Sequence, residues 1–138
     1  MQKIFLDTNI VLDFLGKREN FYDASAKVLT LADRKKIKVY TTSNTISTTY
    51  YLLSKFENSR IALEKIRKFK LLCSISTIND EVIDKAVNSR FKDFEDAIQY
   101  FSAVATNCDL IITRNEKDFK NALIPVMNAE SYLQTLKK

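Results

Sequence analysis

Histidine is missing from all 138 residues, and glycine and proline occur once each, as Gly16 and Pro125. Each scarcity excludes a class of chemistry. Without histidine there is no Ser-His-Asp triad, no imidazole acid or base and no His-ligated zinc. One glycine cannot build the Gly-rich loops that cradle dinucleotides or the phosphates of a P-loop. The two cysteines, Cys73 and Cys108, form no CxxC pair and read as reduced, buried small hydrophobes. No apolar run approaches the roughly 20 residues that a membrane span needs, and the N-terminus shows no secretory leader pattern. The expectation is a cytoplasmic chain without membrane contact. By elimination, its reactive groups are carboxylates.

What is present suits a globular protein. Hydrophobic residues make up 46% and charged residues 28%, and 138 residues suit one domain, read as spanning 1–138. A core of that size hides roughly two-thirds of the surface that the unfolded chain exposes. Lysine and arginine number 22 against 17 acids, a net charge of +5. That excess suits a polyanionic partner, and equally an ordinary, mildly basic surface. Its clusters, Arg34 to Lys38 and Arg60 to Lys70, belong on solvated helix faces or ends.

Residues 3–6 (KIFL) form an apolar run stopped by Asp7, which predicts a buried first strand. Residues 8–15 follow with Ile10, Val11, Phe14 and Leu15 at helical spacing, capped by Asp7 or Thr8. Further helices are predicted over 21–36, 46–56, 60–70, 94–105 and 127–136, with another opening at Thr77 or Asn79. The inner face of 94–105 reads as Phe94, Ala97, Ile98, Phe101 and Ala105. Strands are predicted over 37–41, 71–76, 110–113 and 124–126. Short, unalternating strands between amphipathic helices predict a parallel sheet of about five strands, covered on both faces: a three-layer α/β/α sandwich. Ligands of such sheets bind beyond the carboxyl ends of the strands, at the topological switch point.

The acids are read with that rule. Asp7 ends the first strand, Asp118 follows the fourth, and Asp93 and Asp96 stand at i, i+3 where the periodic helix begins. Each has a plain structural role available: Asp7 as a helix cap, Asp93 and Asp96 as first-turn acids, Asp118 in an Asx-turn, Asp13 as a solvated helix position. Carboxylates converging at strand ends would instead repel one another, and Mg²⁺ or Mn²⁺ relieves that repulsion through oxygen ligands.

Three stretches, LDTNIVLDFL (6–15), DFEDAIQYFSA (93–103) and TRNEKDF (113–119), together resemble the PIN domain family over essentially the whole chain. The family is a small α/β/α fold found in metal-dependent ribonucleases, including the toxins of bacterial toxin–antitoxin pairs. The resemblance implies that Asp7, Asp96 and Asp118 bind the metal and that Asn115 stands where many members carry another acid. It implies supporting roles for Asn9, Asp93 and Thr49. In one respect the chain departs from the family: no acid occurs between Thr41 and Phe56, and Thr49 stands nearest to the Glu that members commonly place there. With Asn115 neutral as well, the site carries less negative charge and a weaker hold on cations.

The resemblance thus implies a Mg²⁺- or Mn²⁺-dependent endoribonuclease, with Arg114 and Lys117 near enough to contact RNA phosphates. A second reading is an RNA-binding module of the same fold with weak or lost cleavage. A phosphoacceptor signalling domain ranks last, because the first strand ends in DTN and offers no paired acid. Tyr50, Tyr51, Leu52, Leu53 and Phe56 crowd one helix with more apolar bulk than one inner face can take. The surplus predicts a protein contact: a homodimer, or an antitoxin partner, using Tyr50 or Phe56.

Overall fold

The protein is described by a computed structural model covering residues 1–137. The exposure expected for Lys138 lies outside those residues. In chain order the elements are β1 (Gln2–Leu6), α1 (Thr8–Leu15), α2 (Tyr22–Asp33), β2 (Ile37–Thr41), α3 (Ser43–Phe56), α4 (Ser59–Phe69), β3 (Cys73–Ile75), α5 (Asp80–Val87), α6 (Phe94–Ala105), β4 (Leu110–Ile112), β5 (Val126–Met127) and α7 (Ala129–Thr135). A 3-10 turn over Glu116–Phe119, not anticipated from sequence, separates β4 from β5. The sheet has five strands in the order β3-β2-β1-β4-β5, and every pairing is parallel. The α/β sandwich is the expected architecture.

The strand order carries the functional geometry. β1 lies at the centre, with β2 paired on one side and β4 on the other. The chain therefore changes direction across the sheet between β1 and β4, and the crevice at their carboxyl ends is the switch point. β1 and β4 can sit at the centre because Ile4, Phe5, Leu6, Leu110, Ile111 and Ile112 are buried on both faces. On one face Ile4 and Leu6 pack with Ile10, Val28, Leu29 and Phe69. On the other, Phe5 and Ile111 pack with Tyr100, Ala103 and Phe119. Both cysteines are buried and unpaired, and desolvation pushes their thiols up to about 12, so they are chemically quiet.

Several boundaries moved for identifiable reasons. α2 stops at Asp33 rather than at 36, because the chain turns through a left-handed Lys35 (φ 58°) into β2. α3 begins at Ser43 rather than at Ile46: the Thr42 hydroxyl accepts from the Thr45 amide (3.1 Å), a cap that overrides the low helix propensity of the threonines. α5 opens after Asn79, whose side chain accepts from the Val82 amide, and it leaves Val87 exposed. β5 falls at Val126–Met127, beyond the expected 124–126. The inner face of α6 is also corrected. Phe94 and Ala105 are exposed, whereas Gln99, Tyr100, Ser102 and Ala103 are buried beside Ala97 and Ile98. α6 packs against the sheet and also against α5, so it hides more than one stripe.

A chain of hydroxyls joins the carboxyl ends of the strands to α6. The Thr41 hydroxyl donates to the Leu6 carbonyl (2.9 Å), and the Ser76 amide and hydroxyl both donate to the Thr41 carbonyl. Ser76 and Ser102 hydroxyls share a hydrogen bond of 2.6 Å, and Ser102 is also 2.5 Å from the Thr77 carbonyl. All of Thr41, Ser76 and Ser102 are buried. Ser102→Ala is expected to cost about 1–3 kcal/mol of stability by stranding these partners. A melting temperature equal to wild type would show that the link holds nothing.

Candidate active site

Asp7 is set at the switch point by its place in the chain. It is the first residue after β1, and its amide donates to the Ile112 carbonyl at the end of β4 (3.0 Å). One carboxylate oxygen accepts from the Thr8 amide (2.7 Å), capping α1, and the other from the Thr113 hydroxyl (2.6 Å). The structural reading of Asp7 as a helix cap thus holds. It is only 4% exposed, and burial raises its carboxyl above the usual carboxylate range. The hydrogen bonds from Thr113 and Thr8 and the nearby Gln99 side chain pull the other way, and the Asp118 charge adds to the rise.

Asp96 reaches the same crevice from the first turn of α6. Its carboxyl is raised to about 7, first by desolvation and then by the charges of Asp7, Asp93, Asp118 and Glu95. Three distant segments therefore present Asp7, Asp96 and Asp118 within electrostatic reach of one another. Asp118 is exposed on the 3-10 turn. Asp93 caps α6, accepting from the Asp96 amide (2.9 Å), so its contribution to the site is to fix the helix start beside Asp96.

The supporting residues divide. Asn9 accepts from the Arg114 amide (3.3 Å), tying α1 to the segment after β4. The Asn115 amide donates to the Thr113 hydroxyl (3.0 Å), the same hydroxyl that binds Asp7. Asn115 and Lys117 are exposed. Thr49 is fully buried on α3, and its hydroxyl has no partner among the described residues. Gln99 was missed. It stands one turn after Asp96 on α6, 2% exposed, with its amide group turned to Asp7 and its Oε1 without a partner among the described residues. The available signal was a glutamine three residues beyond Asp96 on a helix hidden on more than one side.

Two expectations are corrected here. Asp13 is not solvated: it is 1% exposed and holds Arg114 through two hydrogen bonds, Nε to Oδ2 at 2.8 Å and Nη2 to Oδ1 at 3.2 Å. Arg18 adds a longer contact of 3.9 Å. The inward turn of α1 puts Asp13 on the buried side, where only a partnered carboxylate is tolerated. Arg114 is accordingly not a free phosphate ligand. Its guanidinium also lies over the Phe21 ring, 4.0 Å from the centroid.

The donor set fits a small hard cation. Every candidate group is an oxygen, and neither Lys117 nor Arg114 bonds to Asp7 or Asp96. The raised Asp96 carboxyl and the orphaned Gln99 oxygen both mark a place where positive charge is under-supplied. No ready-made cluster of three acids at ligation distance exists among the described residues. Mg²⁺ does not require one, since it keeps several waters and commonly takes one or two carboxylates plus substrate oxygens.

A stability test follows from the Asp96 environment. Its folded carboxyl sits above its unfolded value, so the metal-free protein loses stability as pH rises from about 4 through about 7. Asp96→Asn does not titrate and should melt higher than wild type at pH 8 without metal, with the gain vanishing toward pH 4. A gain independent of pH would place its cause elsewhere.

Comparison with known proteins agrees with this geometry. The PIN domain family model matches residues 3–117. A curated relative, Ribonuclease VapC1 of Aquifex aeolicus (strain VF5), is 29% identical over 138 residues, covering 96% of this chain and 94% of that protein. Among solved structures, VapBC2 from Rickettsia felis, bound to a DNA fragment from its promoter, superposes with a TM-score of 0.71 at 20% identity, over 92% of this chain and 98% of that one. VapBC-1 from nontypeable Haemophilus influenzae gives 0.68 at 15% identity, over 94% and 99%. VapC20 of Mycobacterium tuberculosis, a Sarcin-Ricin loop cleaving toxin, gives 0.61 at 16% identity, over 78% and 86%. With a five-stranded parallel sheet, acids gathered at its switch point and a family match over most of its length, this chain belongs to the PIN domain family.

Proposed function

We propose that the protein is a metal-dependent endoribonuclease acting as the toxin of a toxin–antitoxin pair in the cytoplasm. The observation that carries the reading is that Asp7, Asp96 and Asp118 lie within electrostatic reach of one another at the β1–β4 crevice, where desolvation first and the neighbouring acids second raise the Asp96 carboxyl to about 7. The family match and the ribonuclease relative support it. Asp7 and Asp96 hold Mg²⁺ or Mn²⁺, with Asp118 joining directly or through water. When bound, such a cation supplies a water of lowered pKa and neutralises charge developing on the phosphate.

The chain's own groups do the rest. Thr113 and the Thr8 amide fix the Asp7 carboxylate, while Gln99 orients it from below. Asp93 holds the start of α6, so that Asp96 faces Asp7. Lys117, exposed beside Asp118, meets RNA phosphates, and Asn115 offers an amide to a phosphate oxygen or a water. No imidazole is needed in this scheme, and the sequence contains none. The buried Thr49 does not replace the carboxylate of the family pattern, which leaves the site less acidic and its cation affinity lower. The alternative, an RNA-binding PIN module with weak cleavage, is favoured by that one substitution.

A protein partner is supported by α3. It buries Leu53 but leaves Tyr50 37%, Tyr51 56% and Phe56 81% exposed. Apolar rings so placed suit a second copy or an antitoxin segment. Two of the structural neighbours are VapBC complexes by name.

With Mn²⁺ present the protein should cleave a total-RNA pool, and chelator should stop it. Asp7→Asn and Asp96→Asn should each lose more than the roughly 10–100-fold that outer-shell partners of a metal cost, while Asp33→Asn, just before β2, cleaves normally. Undiminished cleavage by Asp96→Asn would reduce that residue to a first-turn helix acid. Separately, light scattering at micromolar concentration should show a dimer that Phe56→Asp converts to monomer. A monomeric wild type that also binds no antitoxin would remove the interface from the account.

A further inference from the structure

One buried oxygen in the crevice has no use in the scheme above. Gln99 is 2% exposed on α6, and its Oε1 has no partner among the described residues. The place of that side chain follows from two periodicities. Side chains alternate along β1, so Asp7 lies on the same face as Phe5, two residues earlier. Phe5 packs against Tyr100 and Ala103, so that face is the one α6 covers. Along α6, Gln99 stands one turn before Ala103 and three residues after Asp96. One step toward the strand ends on each element, from Phe5 to Asp7 and from Ala103 to Gln99, sets the carboxamide beside the Asp7 carboxylate. The Gln99 side chain is accordingly among the groups that favour ionised Asp7.

A carboxamide is two-ended, with donors only on its nitrogen and acceptor sites only on its oxygen. An ionised carboxylate accepts and cannot donate, so the Gln99 nitrogen faces Asp7 and Oε1 turns the other way. Ser102, the next polar residue on this side of α6, finds its partners inside the protein, at Ser76 and Thr77. Gln99 does not. A buried acceptor left unpaired costs stability, and a methionine of nearly the same length would fill the space without that cost. The oxygen is therefore placed for a donor from outside the chain. Arg114 is committed to Asp13 and supplies none. A small hard cation keeps several waters, and their O–H groups are strong donors.

We infer that Gln99 is a positioning residue of the metal site: its nitrogen braces Asp7, and its Oε1 accepts a hydrogen bond from a water carried by the cation. The inference rests on the proposed Mg²⁺- or Mn²⁺-dependent activity and adds a neutral residue to a site read so far from its acids. Mg²⁺ gives up its waters reluctantly, so an oxygen one turn behind Asp96 meets a bound water rather than the ion. Gln99 helps to retain the cation without adding charge. A buried acid in its place would increase the repulsion that Asp7 and Asp96 already share.

The electron paramagnetic resonance signal of free Mn²⁺, followed through a titration, reports binding without RNA and without turnover. Gln99→Met keeps length and bulk but loses both hydrogen-bonding ends. It should bind Mn²⁺ roughly 10- to 100-fold more weakly than wild type, with a cooperative melt showing that it folds. Gln99→Glu, which keeps an oxygen there, should bind at least as tightly as wild type and melt lower without metal. The Mn²⁺ concentration for half-maximal cleavage by Gln99→Met should rise by the same factor as its affinity falls, with KM for RNA unchanged. Wild-type Mn²⁺ affinity in Gln99→Met overturns the inference. Where that variant does not fold, Gln99→Glu binding more weakly than wild type overturns it instead. A wild type that binds Mn²⁺ but cleaves no RNA overturns the ribonuclease reading alone, since the affinity comparison stands. A wild type that binds no Mn²⁺ overturns both.

Discussion

The constraint on which the structure turns is the burial of Asp7 between two central strands. A carboxylate that is 4% exposed must be partnered, and beyond the adjacent Thr8 amide its partner comes from a distant part of the chain. Thr8 belongs to α1, Thr113 follows β4, and Gln99 belongs to α6. Holding this one group therefore requires β4 beside β1 and α6 across their ends. The parallel order supplies the first requirement, and the hydroxyl chain through Thr41, Ser76 and Ser102 ties α6 to the strand ends.

That arrangement is satisfied in hydrogen bonds but not in charge. Asp7 accepts two hydrogen bonds, yet desolvation first and the Asp118 charge second keep its carboxyl raised, and Asp96 is raised to about 7. A stability-minded fold would put a lysine or arginine there. This chain instead turns its nearest arginine away, into a pair with Asp13 and against Phe21. The carboxylates at Asp13 and Asp7 thus have opposite surroundings: Asp13 is paired with Arg114, whereas Asp7 meets neutral donors and no cationic side chain among the described residues.

The Asp13–Arg114 pair has a second effect. By holding the guanidinium it forms part of the wall of a pocket of about 340 Å³, lined also by Phe21, Asn115 and Glu130. α3, whose first turn meets Thr8 through the Thr45 hydroxyl (2.8 Å), buries Leu53 and leaves Tyr51 and Phe56 exposed. The protein separates an acidic cleft from an apolar face, which suits two partners of different chemistry.

Much of this was legible in one dimension. Unalternating runs such as KIFL and LIIT can only be strands buried on both faces, so the parallel sandwich followed from hydropathy alone. The absence of histidine and the scarcity of glycine left carboxylates as the chemistry, and LDTN, DFED and TRNEKDF marked where they stand. Sequence could not decide what depends on contacts between distant segments. Asp13 and Asp7 look alike in the string, because whether a carboxylate faces Arg114 or another acid is a property of packing. Gln99 was hidden because α6 is covered on more than one side, a fact set by α5 and the sheet rather than by its own periodicity. The caps at Thr42 and Asn79 are local and could be read; the pairing of β1 with β4 needed the folded chain, since strand order is fixed by the summed burial of every element and not by any residue within the two strands.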